Sequence, residues 1–366
     1  MTARTATRID RLRKLMATNG TDLTVVGPTS HMRWLAGLSP HGDERPVMLF
    51  ISQTYAALLI PALNADSVRQ HTDLPFHTWT DEDGPAAALE ALLSKIGGGG
   101  KNLSVSIDET MRADFALLVL DALPGARRQF TDTTVSALRA EKEDDEYRAL
   151  KASALLNDRA VQAGFAALRD GITEAGVAEV IAAVYAEAGA STEFISVCFG
   201  GNGAFPHHHT GKTPLARNMA VLIDAGARHM GYPSDMTRIG WFGIPSAEFH
   251  KAAAIVEGAV QAALAAAKPG VPASAVDAAA RGVITRAGYG DLFKHRTGHG
   301  LGIDIHEAPY ITAVSNGVLK EGNVFSIEPG IYLSGEFGIR LEEIVILRSN
   351  GPEILSEMPR HPVIKA

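Results

Sequence analysis

Apolar positions in the first third of the chain switch between helical and strand-like spacing. Residues 8–19 read as a short amphipathic helix and 22–27 as a buried strand. The runs 46–51 and 55–60 fit two strands of a hairpin turning across 52–54. The glycine run 97–100 reads as a flexible turn feeding a strand at 103–107. It lacks the lysine and hydroxyl that end a phosphate loop. Together these segments predict a mixed α/β domain ending near residue 135.

The pattern changes at EKEDDEYRALK, residues 141–151. Acidic residues precede basic ones there, which suits the start of a long helix and its dipole. A domain boundary is placed here, dividing the chain into 1–138 and 139–366. The helix is expected to continue through 157–168, with another over 176–188. The alanine-rich stretch 247–267 stops at Lys268-Pro269-Gly270, and 274–287 follows with Ser274 as its N-cap. Strands are expected at 194–199, 219–224, 237–242, 324–328 and 339–347. The second domain is therefore also α/β, of the α+β kind, built on antiparallel hairpins rather than regular βαβ units.

Composition narrows the function classes. With 366 residues, 46% of them hydrophobic and 20% charged, the chain has ample length for two soluble domains. A formal charge of −7 without a basic run argues against nucleic acid and anionic membrane as partners. No stretch approaches the ~20 apolar residues of a membrane span, and the N-terminal segment lacks the apolar core of a signal peptide. The one cysteine, Cys198, excludes an intrachain disulfide and fits a cytoplasmic location. Within FISVCFG it reads as a small buried hydrophobe.

The C-terminal third carries the candidate chemistry: Asp224, Asp235, His299, Glu328 and Glu342, each near glycine, proline or β-branched residues. Asp224 ends one expected strand and Asp235 begins the next. A regular hairpin would make them cross-strand partners, with Cβ atoms roughly 4.5–5.5 Å apart. Glu328 and Glu342 are equidistant from Gly335 in the turn SGEFG. Because side chains alternate faces, Glu342 then shares a face with Glu328 and Glu343 points away. Four clustered carboxylates repel one another, and two divalent cations would balance them, with His299 as the neutral donor. Oxygen-rich coordination without thiolate suits manganese, cobalt, iron or zinc. Such a pair activates water and polarises a carbonyl.

Two further histidines, His207 in PHHHTG and His306 in GHGLGIDIHE, lie in loop-like sequence. The residues alone leave open whether they are solvated or steady a tetrahedral intermediate and pass a proton. His208 and His209 read as solvated loop, His295 and Arg296 as structural. Arg340 either pairs with a neighbouring carboxylate or fixes a substrate group or metal ligand.

These motifs carry a resemblance. DAGARHMGYPSDMTR, GHGLG, EPGIY and RLEE are similar to the DxG…GYxSDxTR, GHGxG, EPGxY and RIED patterns of the pita-bread metallopeptidases. That group includes methionine aminopeptidase, aminopeptidase P, prolidase and creatinase. The likeness covers about residues 145–350, and HMRWLAGL at 31–38 resembles the NxRYLTG segment of creatinase-type N-terminal domains. It implies a C-terminal pita-bread fold with a smaller creatinase-type domain before it. It also implies that the five donors are ligands of two metal ions. His207 and His306 would be catalytic-pocket histidines that, with Arg340, meet the substrate, and Glu328 would exchange a proton with the nucleophilic water.

The activity so implied is that of an Xaa-Pro peptidase, of aminopeptidase P or prolidase type. It would hydrolyse the bond before proline in a short peptide through a hydroxide bridging the metals. A hydrolase or lyase acting on a small non-peptide amide or amidine is the alternative on this scaffold, and a non-catalytic peptide-binding module is a third. The intact donor set separates the chain from creatinase and from the histone-chaperone relatives. One departure concerns an arginine that many prolidases carry between the HE and EPG segments to grip the dipeptide carboxylate. Here residues 313–326 offer only Lys320. Relatives are commonly homodimers in which a neighbouring N-terminal domain reaches the site, a part for which His31, Arg33 and Trp34 are the candidates.

Overall fold

The computed structural model describes residues 2–97 and 102–366, so most of the glycine run falls outside the described residues. The chain divides into one compact unit ending at Arg139 and another spanning Ala140–Ala366.

In the first unit a six-stranded sheet runs in the order Phe76–Trp79, Ala56–Pro61, Met48–Ser52, Leu23–Val26, Ser104–Ile107, Arg127–Phe130. Its inner strands are buried on both faces: Leu23, Val25, Phe50 and Leu59 share one face, and Thr24 and Ser106 lie on the other among apolar residues such as Leu49 and Leu58. Met48–Ser52 and Ala56–Pro61 form the expected antiparallel hairpin, closed by the Ser52 N–H donating to the Tyr55 carbonyl. The first helix, Ala3–Asn19, begins earlier than its apolar spacing suggests because the Thr2 hydroxyl accepts from the Thr5 N–H. HMRWLAGL folds largely as the short helix Ser30–Ala36, which buries His31 and Trp34.

In the second unit, helix Asp144–Ala166 starts with a reciprocal capping box between Glu143 and Glu146. It shares a core with Glu174–Glu187 and the strands Ser191–Phe199 and Met219–His229. Helices Ala247–Ala266 and Ala273–Arg286 pack on a second core, where Phe249 meets the rings of Trp241 at 4.9 Å and Phe337 at 5.7 Å. Pro272 rather than Ser274 holds the capping position of the later helix. One sheet orders Val363–Lys365, Met236–Phe242, Met219–His229, Ser191–Phe199; the other orders Glu307–Ile311, Gly298–Gly300, Val324–Ile327, Glu343–Arg348, Gly351–Ile354. A two-stranded ladder, Gly330–Leu333 with Phe337–Arg340, completes the unit. Nearly all these pairings are antiparallel, so successive hairpins bring donors that are distant in sequence onto facing strands.

Candidate metal centre and active site

Asp224 lies within its strand rather than at the end, because Met219–His229 runs five residues past the expected stop. Met230 and Gly231 make the turn, with φ of 52° and 84°. Positive φ at both central residues is what a tight two-residue hairpin turn demands. That turn sets the register, pairing Asp224 with Thr237 and Ala225 with Met236. Asp235 is therefore not the direct partner of Asp224. It sits two residues away, diagonally on the same face, so both carboxylates still point to one side.

The second pair follows the expected symmetry. Ile327 pairs with Glu343 in one ladder and Gly330 with Arg340 in the next, a single register that sets Glu328 against Glu342 in the gap. The gap has a cause. The Glu328 N–H donates to the Thr297 carbonyl and the Glu342 N–H to that of Thr237. Each glutamate thus ties its hairpin to a strand bearing another donor. Glu343, on the opposite face, is buried in ion pairs with Arg238 at 2.8 Å and Arg360 at 3.0 Å.

His299 reaches the cluster from Gly298–Gly300. A Cβ at Gly298 would lie 1.9 Å from the Ser326 carbonyl oxygen, and one at Gly300 2.3 Å from that of Ala308. Only glycine on both sides lets this strand lie so close to its neighbours. The Nδ1 of His299 donates to the Gly300 carbonyl at 3.1 Å, leaving the Nε2 lone pair inward, 3.5 Å from Asp235 and 3.4 Å from Glu328. Burial, reinforced by His306, pushes His299 down to about 3, so the ring is neutral.

The carboxylates are held by a compact network. Arg340 donates to Asp224 at 2.6 Å, to the Thr237 hydroxyl at 2.8 Å and to the Tyr332 hydroxyl at 3.0 Å. Thr237 Oγ1 lies 3.0 Å from Asp224 and 2.8 Å from Glu342, within reach of either acceptor. Ser326 donates to Glu328 at 3.1 Å and accepts from the His299 N–H at 2.9 Å. Thr237, Ser326 and Tyr332 are absent from the sequence-based site. Thr237 is two residues after Asp235 on the same strand face, a spacing from which it was legible.

Burial lifts Asp235 and Glu342 well above the usual carboxylate range, and the neighbouring carboxylates add to it. Burial also raises Glu328 to about 7. One oxygen of Glu342 is buried without any hydrogen-bond partner. Donor atoms of Asp235, His299 and Glu342 all lie within 4.8 Å of one another. A neutral imidazole with its lone pair inward, an orphaned carboxylate oxygen and three acids pushed towards protonation are what a divalent cation would relieve. The residues present fit such a group.

The five donors line one cavity of about 580 Å³ with His207, His306 and Arg340. His306 stands edge-on to His299, ring centroids 4.2 Å apart, and burial with Arg296 nearby lowers its pKa. His208 departs from the solvated reading: its Nε2 lies 3.1 Å from the fully buried Glu174. His295 is built into the network, with Nε2 accepting from the Tyr332 hydroxyl at 2.7 Å. Arg296, like His295, lines the cavity. Lys320 does not; it is exposed and pairs with Glu141 at 2.7 Å. Of the three N-terminal candidates, His31 and Trp34 are buried inside the first unit and only Arg33 is exposed. Cys198 is buried, and burial pushes its thiol up to about 11.

Residues 148–349 match metallopeptidase family M24, and residues 8–140 match the creatinase/prolidase N-terminal domain. A probable dipeptidase PepE from Mycobacterium tuberculosis is 35% identical over 93% of this chain and 91% of its own length. An Xaa-Pro dipeptidase from Lactobacillus delbrueckii is 32% identical over 94% and 95%. Among solved structures, a prolidase from Thermococcus sibiricus superposes with a TM-score of 0.89 at 32% identity, covering all of both chains. The expected fold, a creatinase-type domain followed by a pita-bread domain, is thereby established. With a family match across most of the second unit and relatives aligned along nearly its whole length, the chain belongs to metallopeptidase family M24 and is a peptidase.

Proposed function

We propose that the chain is an Xaa-Pro peptidase that holds two divalent cations, manganese first among them, through Asp224, Asp235, His299, Glu328 and Glu342. The observation that carries this reading is the convergence of four carboxylates and one neutral imidazole on a single cavity, with a buried Glu342 oxygen left unpaired. When bound, the cations neutralise the carboxylates, activate water and polarise the scissile carbonyl. Glu328 takes a proton from the attacking water and returns it to the departing proline nitrogen. Ser326, donating to one Glu328 oxygen, keeps the other turned to the reaction. His207 and His306 reach the carbonyl oxygen and supply hydrogen bonds as negative charge develops there. Arg340 fixes Asp224 and balances its charge.

The relatives named dipeptidase, Xaa-Pro dipeptidase and prolidase support a short prolyl substrate. A homodimer in a reducing cytoplasm belongs to the same reading, the first part being checked by sedimentation. The decisive experiment is a steady-state panel of manganese-loaded protein with Ala-Pro, Ala-Ala, Ala-Pro-Ala and Ala-Ala-Ala. Cleavage confined to the prolyl members supports the proposal. Equal cleavage of Ala-Ala removes the prolyl requirement, and no turnover of any peptide points to the non-peptide amide alternative.

A further inference from the structure

The segment that carries His306 spans the gap between two strands, Gly298–Gly300 and Glu307–Ile311. Within it the Gly302 N–H closes a tight turn onto the Asp304 carbonyl at 3.0 Å. Both ends are fixed. At one, the Leu301 N–H donates to the Val324 carbonyl; at the other, Glu307 pairs at 2.8 Å with Lys142, whose side chain is buried. The middle is held from the other sheet, where Arg228 Nη1 donates to the Ile303 carbonyl at 2.8 Å.

Arg228 lies four residues beyond Asp224 on Met219–His229, so the two share a face. Its guanidinium is itself oriented. Nε and Nη2 donate to the two Glu193 oxygens at 2.7 and 2.8 Å, and Nη1 also reaches the Gly231 carbonyl at 3.1 Å. Pairing through two parallel bonds fixes the plane of a guanidinium as well as its position. Glu193 is placed for this by an irregularity in Ser191–Phe199, whose register shifts between Thr192 and Phe194. Neighbours on a regular strand face opposite ways, yet Glu193 and Phe194 both line the cavity. A bulge re-aims a side chain in this manner, and bulges gather beside active sites.

We propose that Arg228, oriented by Glu193, is a positioning residue: by holding Ile303 it sets the His306 imidazole beside His299 and the reacting carbonyl. This rests on the part given to His306 above and adds the residue that keeps it in place. The rings of His306 and His299 stand edge-on with centroids 4.2 Å apart, so a small shift of residues 301–306 moves one donor relative to the rest of the site. A hydrogen bond to developing charge depends steeply on geometry, and a displacement of ~1 Å costs about 100-fold in rate. Without Arg228 the segment keeps its ends and loses its middle. Substrate still binds, but the donor at the carbonyl is held loosely.

The test compares wild type, His306→Ala, the pair Arg228→Met with Glu193→Gln, and all three substitutions together, each as full-length manganese-loaded protein. Changing Glu193 along with Arg228 leaves no lone carboxylate in its place. On the best peptide of the panel the pair variant is expected to lose about 10- to 100-fold in kcat, with KM within about twofold. The triple variant should be no slower than His306→Ala alone, because both changes act through one imidazole. Hydrogen exchange of amides 301–306, followed by mass spectrometry without substrate, should speed up about tenfold in the pair variant. Arg228→Lys should recover part of both kcat and protection, and the same criteria apply to it where the pair variant does not fold. Unchanged kcat, losses that multiply in the triple variant, or unchanged exchange at 301–306 overturns the proposal. Neither readout requires a prolyl peptide. If His306→Ala is as fast as wild type, the catalytic part given to His306 falls and this inference with it. If His306→Ala is slow and the losses multiply, only the inference falls.

Discussion

Stripped of metal, the protein should lose stability as pH rises, and Glu328 gives the size of the loss. Chelation leaves the four donor carboxylates facing one cavity, with Arg340 bonded directly to Asp224. Burial then raises Glu328 from its ordinary 4.5 to about 7, and it lifts Asp235 and Glu342 as well. Between those two values the folded chain holds a proton that the unfolded chain has released. Stability therefore falls as pH climbs from 4.5 to 7 and stays reduced above it. The interval corresponds to at most about 3 kcal/mol for this one group. Its side chain keeps 15% of its exposure, so solvent trims that figure. At ~2–4 °C per kcal/mol for a domain of this size, Tm should drop roughly 5–10 °C between pH 5 and pH 8. The assay is scanning calorimetry in chelator, following the transition that manganese shifts. Glu328→Gln removes the buried acid, so its metal-free transition should vary less with pH and lie above wild type at pH 8. Manganese should raise wild type more than the variant. A metal-free Tm that is flat or rising from pH 5 to 8, with Glu328→Gln indistinguishable, would refute the reasoning.

Three further perturbations separate the roles of neighbouring residues. Arg340→Met leaves Asp224 and the Thr237 and Tyr332 hydroxyls without their cation, and breaking such a buried pair costs about 3–5 kcal/mol. A fall in both Tm and manganese affinity is expected; unchanged manganese titration calorimetry would show that Arg340 does not organise the donors. Glu342→Gln should weaken manganese binding more than tenfold, whereas Glu343→Gln should lower Tm and leave affinity within about threefold. Equal effects on affinity would mean that the two faces are not distinct. Phe249→Ala empties the space between Trp241 and Phe337 and should cost about 3–5 kcal/mol in denaturant unfolding, with kcat retained where the protein stays folded.

Much of the second unit was legible because its helices announce themselves locally. The acidic-to-basic order at 141–151 marked a helix whose capping box the structure contains, and the alanine-rich stretch ended at Lys268-Pro269-Gly270 as its chemistry requires. The first unit was harder. Ala62–Arg69, Ala86–Ile96 and Ala113–Ala122 went unread as helices. Each is short, and a short helix is stabilised by the surface it covers more than by its own propensity. Even Ser30–Ala36, found inside a motif noticed for other reasons, owes its start to the Thr29 side chain accepting from the His31 N–H.

At the site, what sequence could establish depended on turns. The SGEFG hairpin is symmetric about Gly335, so parity alone set Glu328 against Glu342 and turned Glu343 away. The other hairpin shows the weakness of the method. Its turn is centred between Met230 and Gly231, and Met230 has no sequence mark that it adopts a positive φ. Moving that centre by one residue shifts the partner of Asp224 from Asp235 to Thr237. The face of the sheet is preserved only because the register changes by two. A displacement of half that size would have put Asp235 on the other side and left His299 without its neighbour at 3.5 Å. Arg296 lay beyond any such counting. Whether an arginine is structural or waits for an anion depends on which acids lie within reach once the chain is folded. Here Asp224 is bonded to Arg340 and Glu193 to Arg228. Tyr310 offers attraction without charge neutralisation, and it is on that ring that Arg296 rests.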